Sequence, residues 1–267
     1  MELFGNDMFG QPIQPHNRSV LADEFVEPPF SVLDGRTKRW MVRKTAWKNQ
    51  LSWSGKWGDG KSIFDPVLCE IIYKWFCPVG GWILDPFAGT IIRGGMAHML
   101  GYNYYGIELR ADLVDENYTQ AYDLFDPHNI NWREGDALTA PMIEGDFLFS
   151  CPPYGNLEVY SDDLRDLSNM RYDKFIDRYN SIIDRSVKHL RGEYAVFVVS
   201  NFRHKHNFYH DLVGDTIRAF ESAGMGLYND IVYLTPLGDA MMIAKKYFSA
   251  SKKVVKVHQN VLVFRRI

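Results

Sequence analysis

The residues in this chain best suited to bind a ligand follow a short apolar run at residues 82–84. They are Asp85, Pro86, Phe87, Ala88 and Gly89. Residues 91–100 then carry apolar side chains at helical spacing, so the five residues form a loop at the carboxyl end of a strand in an α/β unit. Gly89 lets the backbone approach a ligand closely, and the free amides of the helix start face that ligand. A tight turn without a ligand has the same sequence pattern.

Two acidic residues further along the chain stand where a nucleotide-like cofactor needs them. Glu108 lies in a second apolar run, residues 102–109, about 20 residues past the glycine loop. At this offset a carboxylate accepts hydrogen bonds from ribose hydroxyls. Asp136 follows a third predicted strand, residues 130–133, where its carboxylate can accept from the amino group of an adenine ring. A generic nucleotide-binding protein makes the same contacts.

A fourth predicted strand, residues 146–150, runs into a segment with a hydroxyl, a thiol, two prolines and an aromatic ring. The segment consists of Ser150, Cys151, Pro152, Pro153 and Tyr154. It completes an ordered set of motifs whose other members are residues 85–89, 106–108 and 135–137. The set resembles the motifs of S-adenosylmethionine-dependent DNA methyltransferases that methylate exocyclic amines.

The resemblance covers residues 62–267, and a phage-type branch of the family is similar to this chain at residues 30–34, 62–67 and 258–264. It implies an α/β, Rossmann-like seven-stranded methyltransferase sheet with helices on both faces and a small N-terminal extension. The implied cofactor is S-adenosyl-L-methionine, held by the loop residues with Glu108 and Asp136. Phe64 and Asp65 are further expected contacts, because the helix before the loop closes over the methionine end of the cofactor in that family. The capping of that helix explains Asp65 equally well.

The proline-rich segment is suited to the methylation of an amine. The lone pair of an aromatic amine is delocalised into its ring, so acceptors must draw the nitrogen toward tetrahedral geometry and into line with the methyl donor. Prolines have a fixed φ angle and no N–H, so they present a backbone carbonyl rigidly. The resemblance implies that Tyr154 stacks on a base flipped out of the duplex.

Cys151 departs from the family, which has Asp, Asn or Ser at this position, each with an oxygen acceptor. In one interpretation, Ser150 or the Pro152 carbonyl supplies the acceptor, and the target is adenine N6 or cytosine N4. In the other, Cys151 is the nucleophile of a cytosine C5 methyltransferase. Those enzymes carry their cysteine in Pro-Cys-Gln and pair it with Glu-Asn-Val, whereas residues 200–202 read Ser-Asn-Phe here. The first interpretation is therefore favoured.

Apolar periodicity predicts the elements that position these residues. Beyond the motifs, helices are predicted at residues 111–125, 172–190 and 209–223. Strands are predicted at residues 194–199, 227–234 and 259–265. The last two strands have no clear helix between them.

Composition sets the class of protein. A chain of 267 residues, 46% of them hydrophobic, can bury the core of one α/β domain with an appendage. It has no apolar run of membrane-spanning length and no export signal pattern, so we expect a cytoplasmic protein, in the host cytoplasm if phage-encoded. Cys69, Cys77 and Cys151 show no close pairing of metal ligands, which predicts a reducing compartment and no metal.

The formal net charge of −3 conceals two basic patches. Residues 36–61 hold eight Lys or Arg against one acid, and residues 245–266 hold seven and no acid. Cations interleaved with aromatic residues predict contact with DNA phosphates and bases. The expected DNA-binding residues are Arg43, Lys44, Trp47, Lys48, Lys252, Lys253 and Lys256. Solvated charged faces, with tryptophans that cover the main sheet, are the alternative.

The predicted organisation has three parts: a poorly ordered tail at residues 1–27, a basic extension that contacts nucleic acid at residues 28–61, and a methyltransferase domain at residues 62–267. The leading hypothesis is an amino-methyltransferase of double-stranded DNA, with restriction–modification as one biological role. A methyltransferase of RNA or small molecules and a catalytically inactive nucleic-acid-binding module are the alternatives left open.

Overall fold

The computed structural model describes residues 18–51, 63–203, 208–238 and 240–267. The chain divides into two compact units, Met1–Phe30 and Ser31–Ile267. In the first unit a helix, α1, spans Arg18–Phe25, within the segment for which the sequence predicts a poorly ordered tail. Its eight residues include no Gly or Pro and so can form a helix, although no apolar stripe runs along them to signal one.

The second unit is built around one eight-stranded sheet. In chain order, the strands of the described chain are β1 (Val32–Asp34), β2 (Trp82–Asp85), β3 (Asn103–Glu108), β4 (Ile130–Glu134), β5 (Phe147–Ser150), β6 (Tyr194–Val199), β7 (Phe202–Arg203), β8 (Tyr209–His210), β9 (Met225–Leu234) and β10 (His258–Arg266). Strands β7 and β8 pair with each other, and the other eight form a sheet in the order β1-β9-β10-β6-β5-β2-β3-β4. The five strands β6, β5, β2, β3 and β4 are parallel to their neighbours in this order. Strand β10 is antiparallel to both β6 and β9.

Helices cover both faces of this sheet. They are α2 (Lys38–Gln50), α3 (Pro66–Phe76), α4 (Ile92–Met99), α5 (Ala111–Leu124), α6 (Tyr172–Lys188) and α7 (Leu212–Ser222). A further helix, α8 (Ala240–Ser251), has no buried residue. On one face, Leu148 of β5 shares a core cluster with Phe175 of α6 and Phe220 of α7. Side chains alternate along a strand, so the next residue, Phe149, points to the other face. There its ring lies 5.3 Å from that of Tyr73 on α3.

The fold class predicted from the sequence, an α/β, Rossmann-like sheet with helices on both faces, is confirmed. The sheet has one strand more than predicted, because β1 of the N-terminal extension pairs in parallel with β9. Helix α8 lies between the last two strands, where the sequence predicted no clear helix. None of its residues is buried, and apolar side chains such as Met241, Met242 and Phe248 are exposed, so the helix does not face the core.

The order of the strands determines where a ligand can bind. Strand β2 lies between β5 and β3, so the chain connections on its two sides run in opposite directions. The loops after β2, β3, β4 and β5 meet at the carboxyl edge of this part of the sheet. Open α/β sheets bind their ligands in the crevice at such a switch point.

Candidate active site

A cavity of about 790 Å³ opens at the carboxyl ends of these strands. Its lining includes seven of the predicted cofactor contacts: Phe64, Asp65, Pro86, Phe87, Gly89, Glu108 and Asp136. It also includes four residues of the predicted catalytic segment: Cys151, Pro152, Pro153 and Tyr154. The fully buried Asp85, Ala88 and Ser150 do not line it. The fold thus brings the two groups of motifs together around one space of the usual size for a ligand pocket.

Asp85 organises the glycine loop from inside the core. Its Oδ1 accepts a hydrogen bond from Ser150 Oγ at 2.5 Å and another from the Phe87 amide at 3.1 Å. Its Oδ2 accepts from Arg93 Nε at 2.5 Å and from the Tyr104 hydroxyl at 2.8 Å. With these four donors in place, the carboxylate and the Ser150 hydroxyl hold the loop in position and do not face the cavity.

Arg93 is a site residue that the sequence interpretation missed. Its Nη2 donates to the carbonyl oxygens of Phe87 and Ala88, the second at 2.9 Å, and its guanidinium lies 5.2 Å from the centre of the Phe64 ring. Burial opposes the charge of Arg93, but the adjacent Asp85 carboxylate, with smaller contributions from Tyr104 and Cys151, raises the pKa of the guanidinium overall. The sequence feature that could have indicated Arg93 is its position as a lone arginine among apolar residues at the start of the predicted helix after the loop.

Glu108 is hydrogen-bonded to the end of the same loop, at Gly89. Gly89 has φ +59°, a left-handed conformation that favours glycine, and its amide donates to Glu108 Oε2 at 2.8 Å. The Arg110 amide donates to Oε1 at 3.0 Å. Burial raises the pKa of Glu108, and these backbone hydrogen bonds oppose that rise. Each carboxylate oxygen keeps a further lone pair for a ligand hydroxyl.

Asp136 is fixed in the lining by two donors. Its Oδ1 accepts from the Leu138 amide at 2.9 Å, and its Oδ2 accepts from Arg178 Nη2 of α6 at 2.5 Å. Gly135, which precedes it, has φ +146°, and a Cβ there would lie 2.8 Å from the Cβ of Ala140. The turn therefore needs glycine, and it sets the direction of the acid that follows. Arg178 is a second positioning residue that no local pattern indicated.

The proline-rich segment carries the only thiol in the described lining. Cys151 Sγ lies 3.8 Å from the Tyr154 hydroxyl, which accepts from Gln259 Nε2 at 2.7 Å. Gln259, on β10, also lines the cavity. Burial raises the pKa of the Cys151 thiol, and the charge of Arg93 opposes it only in part. A thiol with a raised pKa stays protonated near neutral pH, where it is a poor nucleophile.

Within the described part of the first basic patch, three of the residues expected to bind DNA make contacts inside the protein. Arg43 Nε and Trp47 Nε1 donate to Glu70 Oε2 at 2.6 and 2.7 Å. Lys44 Nζ donates to Asp65 Oδ2 at 2.7 Å. These side chains of α2, three of the residues expected to bind DNA, therefore attach α2 to acids of α3 and its N-cap.

Lys48, the fourth residue expected on α2, is half-buried, and burial lowers its pKa. The other tryptophans of the basic extension have different positions. Trp40 is buried and stacks on Tyr233 at 5.3 Å, as the alternative of sheet-covering tryptophans predicts. Trp53 and Trp57 lie outside the described residues.

The lysines of the second basic patch that are expected to bind DNA follow the end of α8. Lys252 Nζ is 5.1 Å from the centre of the Phe248 ring, and Lys253 Nζ is 5.0 Å from that of Tyr247. Lys256 is half-buried, and burial lowers its pKa. Aromatic rings near the end of α8 thus lie beside lysines that follow the helix, and no residue of the helix is buried.

Among the described residues, no group of three His, Cys, Asp or Glu side chains could hold a metal ion. Cys69, Cys77 and Cys151 are free thiols. No helix in the described ranges is both long enough and apolar enough to cross a membrane.

Comparison with known proteins relates the chain to others through its fold. No protein-family model and no curated protein matches its sequence. A methyltransferase from Pyrococcus furiosus is 15% identical, with a TM-score of 0.50 over 85% of this chain and 95% of that one. A proposed RNA methyltransferase from Pyrococcus horikoshii is 15% identical, with a TM-score of 0.52 over 85% of this chain and 100% of that one.

The cyclase SpnF is also similar, at 13% identity and a TM-score of 0.52 over 79% of this chain and 84% of that one. The protein therefore has the Rossmann-like methyltransferase fold. Because a cyclase shares that fold, the reaction has to be argued from the site.

Proposed function

We propose that this protein is an S-adenosylmethionine-dependent methyltransferase that methylates the exocyclic amine of a base flipped out of DNA, adenine N6 or cytosine N4. The observation that carries the proposal is one cavity that holds Glu108 and Asp136 together with Pro152 and Tyr154. The two acids suit a ribose and an adenine amino group. The proline and tyrosine suit the amine and the ring of a second base.

The residues of the cavity fit an adenosine-containing cofactor. Glu108 and Asp136 are each oriented by two donors and have lone pairs left to accept from the ligand. Gly89 leaves space beside the loop, since the nearest atom to a Cβ there would be Arg93 Nη2 at 3.8 Å. When bound, S-adenosylmethionine supplies an electrophilic methyl group on its sulfonium sulfur.

The residues of the proline-rich segment orient the target base. The Ser150 hydroxyl is committed to Asp85, so the proposed acceptor for the amino proton is the Pro152 carbonyl. Tyr154, restrained through its hydroxyl by Gln259, provides a ring on which the base stacks. The raised pKa of Cys151 favours an amine over C5 as the methylated position, because C5 chemistry needs a thiolate.

The proposal of DNA as substrate is supported by the lysines at the end of α8. Lys252 and Lys253 are paired with exposed aromatic rings, and residues 240–267 contain no acid. A cationic surface with aromatic rings suits a phosphate backbone and unstacked bases.

Nucleoside analysis tests the proposed function. Purified protein is incubated with S-adenosylmethionine and either duplex DNA or RNA, and each product is digested and analysed by mass spectrometry. We expect N6-methyladenosine or N4-methylcytidine, in the deoxy form, from DNA alone. A folded Tyr154→Ala variant is the control for methylation by this site. Methylation of RNA alone, 5-methylcytosine in DNA, or an unmethylated product from both would contradict the proposal.

A further inference from the structure

Lys44 belongs to the basic extension, yet it lines the cavity. Only 16% of its side chain is exposed, which is far less than a lysine on a DNA-facing surface needs. Asp65, which accepts from Lys44, and Tyr233, which donates to the same carboxylate, also line the cavity, as does Phe64. The position of this half-buried cation in the cavity lining needs an explanation other than phosphate binding.

Asp65 explains how Lys44 is held but cannot itself bind a ligand. Its Oδ1 accepts from the amides that follow it as the N-cap of α3. Its Oδ2 accepts from Lys44 Nζ at 2.7 Å, Tyr233 OH at 2.9 Å and Trp40 Nε1 at 3.3 Å. With both oxygens occupied, the carboxylate has no free lone pair for the ammonium group of a ligand.

Lys44 keeps donors that Asp65 does not use. An ammonium group has three N–H donors, and within the described part of the chain Lys44 makes a hydrogen bond to Asp65 alone. Two donors are therefore left on a cation that lines the cavity. A charge-assisted hydrogen bond from such a cation to an anion is stronger than a neutral one.

The strand order indicates which anionic group of a ligand would reach Lys44. Glu108 and Asp136 follow β3 and β4, on one side of β2, whereas Tyr233 belongs to β9, on the other side. The cavity thus extends from the nucleoside-binding acids across the sheet to Lys44. In the proposed cofactor, the anionic group remote from the ribose is the α-carboxylate of its methionine part.

We propose that Lys44 binds this carboxylate and that Asp65 is a positioning residue that holds Lys44. The inference rests on the proposed cofactor, and it assigns Lys44 a ligand other than DNA. Phe64, which precedes Asp65 in the chain and also lines the cavity, supplies an apolar ring to the same lining.

The test compares two ligands that differ in the amino-acid end. S-adenosylhomocysteine has the carboxylate, and 5′-methylthioadenosine has the same nucleoside thioether without it. We expect Lys44→Met to weaken binding of S-adenosylhomocysteine by about 10-fold or more in calorimetry of the full chain, since one charged hydrogen bond is removed. Binding of 5′-methylthioadenosine should stay the same, which also shows that the variant is folded. Lys44→Arg, which retains the cation, should recover part of the affinity.

Lys38→Met is the matched control, because Lys38 is an exposed lysine of the same helix that does not line the cavity. Equal weakening of both ligands by Lys44→Met would overturn the inference, as would unchanged binding of S-adenosylhomocysteine with weaker binding of DNA. If the wild-type protein binds neither nucleoside, the proposed function itself fails, and the inference fails with it.

Discussion

At the scale of single residues, Glu108 serves both the loop and the proposed ligand. Its carboxylate oxygens accept from the amides of Gly89 and Arg110, which ties the glycine loop after β2 to the end of β3. Glu108 also lines the cavity. A change at Glu108 should therefore affect the cofactor through the removal of an acceptor and through a loosened loop.

We predict that Glu108→Ala lowers the affinity for S-adenosylhomocysteine by about 1–3 kcal/mol, the usual cost when a charged hydrogen-bond partner is removed. Calorimetric titration measures the effect, and circular dichroism checks the fold. Glu134→Ala is the control, because Glu134 is an exposed acid at the end of the neighbouring strand. Equal affinity in Glu108→Ala and the wild type would count against the ribose assignment.

Cys151 distinguishes the two possible chemistries. We predict that Cys151→Ser retains or increases methyl transfer, because the serine hydroxyl supplies an oxygen acceptor and an amine mechanism has no covalent step to lose. Under a C5 mechanism the same variant would be inactive, since a serine hydroxyl is far too weak a nucleophile at neutral pH. Nucleoside analysis measures activity, and DNA that contains 5-fluorocytosine tests for a trapped adduct of the wild type. An inactive, folded variant together with such an adduct would reverse the assignment.

At the scale of elements, α2 is attached to α3 by buried acids. Glu70 is 1% exposed and accepts from Arg43, Trp47 and Lys74. Burial opposes its ionisation, but these hydrogen bonds outweigh burial and lower the pKa of Glu70 below its ordinary value of 4.5. The ionised form is therefore the one that stabilises the fold.

The lowered pKa of Glu70 predicts the pH dependence of stability. Its contribution is complete above the unfolded-state pKa, and it disappears as the pH falls from there through the lower folded-state pKa. Glu70→Gln should lower the free energy of unfolding by about 1–3 kcal/mol at pH 7 and flatten its decline below about pH 5. Urea unfolding at several pH values measures both effects.

The control for Glu70 is Asp184→Asn, which breaks the exposed pair with Lys188 on α6. Exposed pairs of this kind contribute about 0–1 kcal/mol, so this variant should change stability little. If the free energy of unfolding of Glu70→Gln falls at acid pH as steeply as that of the wild type, the ion pairs of Glu70 do not cause that fall.

At the scale of the whole molecule, a net charge of −3 means that DNA has to bind to a local surface. We predict that replacement of Lys252, Lys253 and Lys256 by Gln weakens DNA binding and reduces the slope of log affinity against log salt by about one for each phosphate that the protein no longer neutralises. Fluorescence anisotropy at several salt concentrations measures the slope. Lys174→Gln and Lys188→Gln, on exposed positions of α6, serve as controls. If the affinity of the wild type for DNA does not change with salt, this surface does not bind DNA phosphates, and that part of the proposal is wrong.

Local sequence patterns were enough to locate the strands and the loops of the cavity. Apolar runs end at or just before Asp85, Glu108, Asp136 and Ser150, and in a parallel sheet the carboxyl ends of neighbouring strands share one edge. Patterns of this kind report where a strand ends. They identified nine of the predicted residues that line the cavity, while the family resemblance implied the fold class and added Phe64 and Asp65.

What each side chain at that edge faces depends on tertiary packing. Asp85 and Ser150 turn into the core to hold Arg93 and the loop. Lys44 faces the cavity because its ammonium group donates to the Asp65 carboxylate. The same carboxylate accepts from Tyr233, which lies 168 residues beyond Asp65 along the chain. Such contacts depend on which distant elements pack together, and that packing follows from the whole core. No local spacing of residues encodes it.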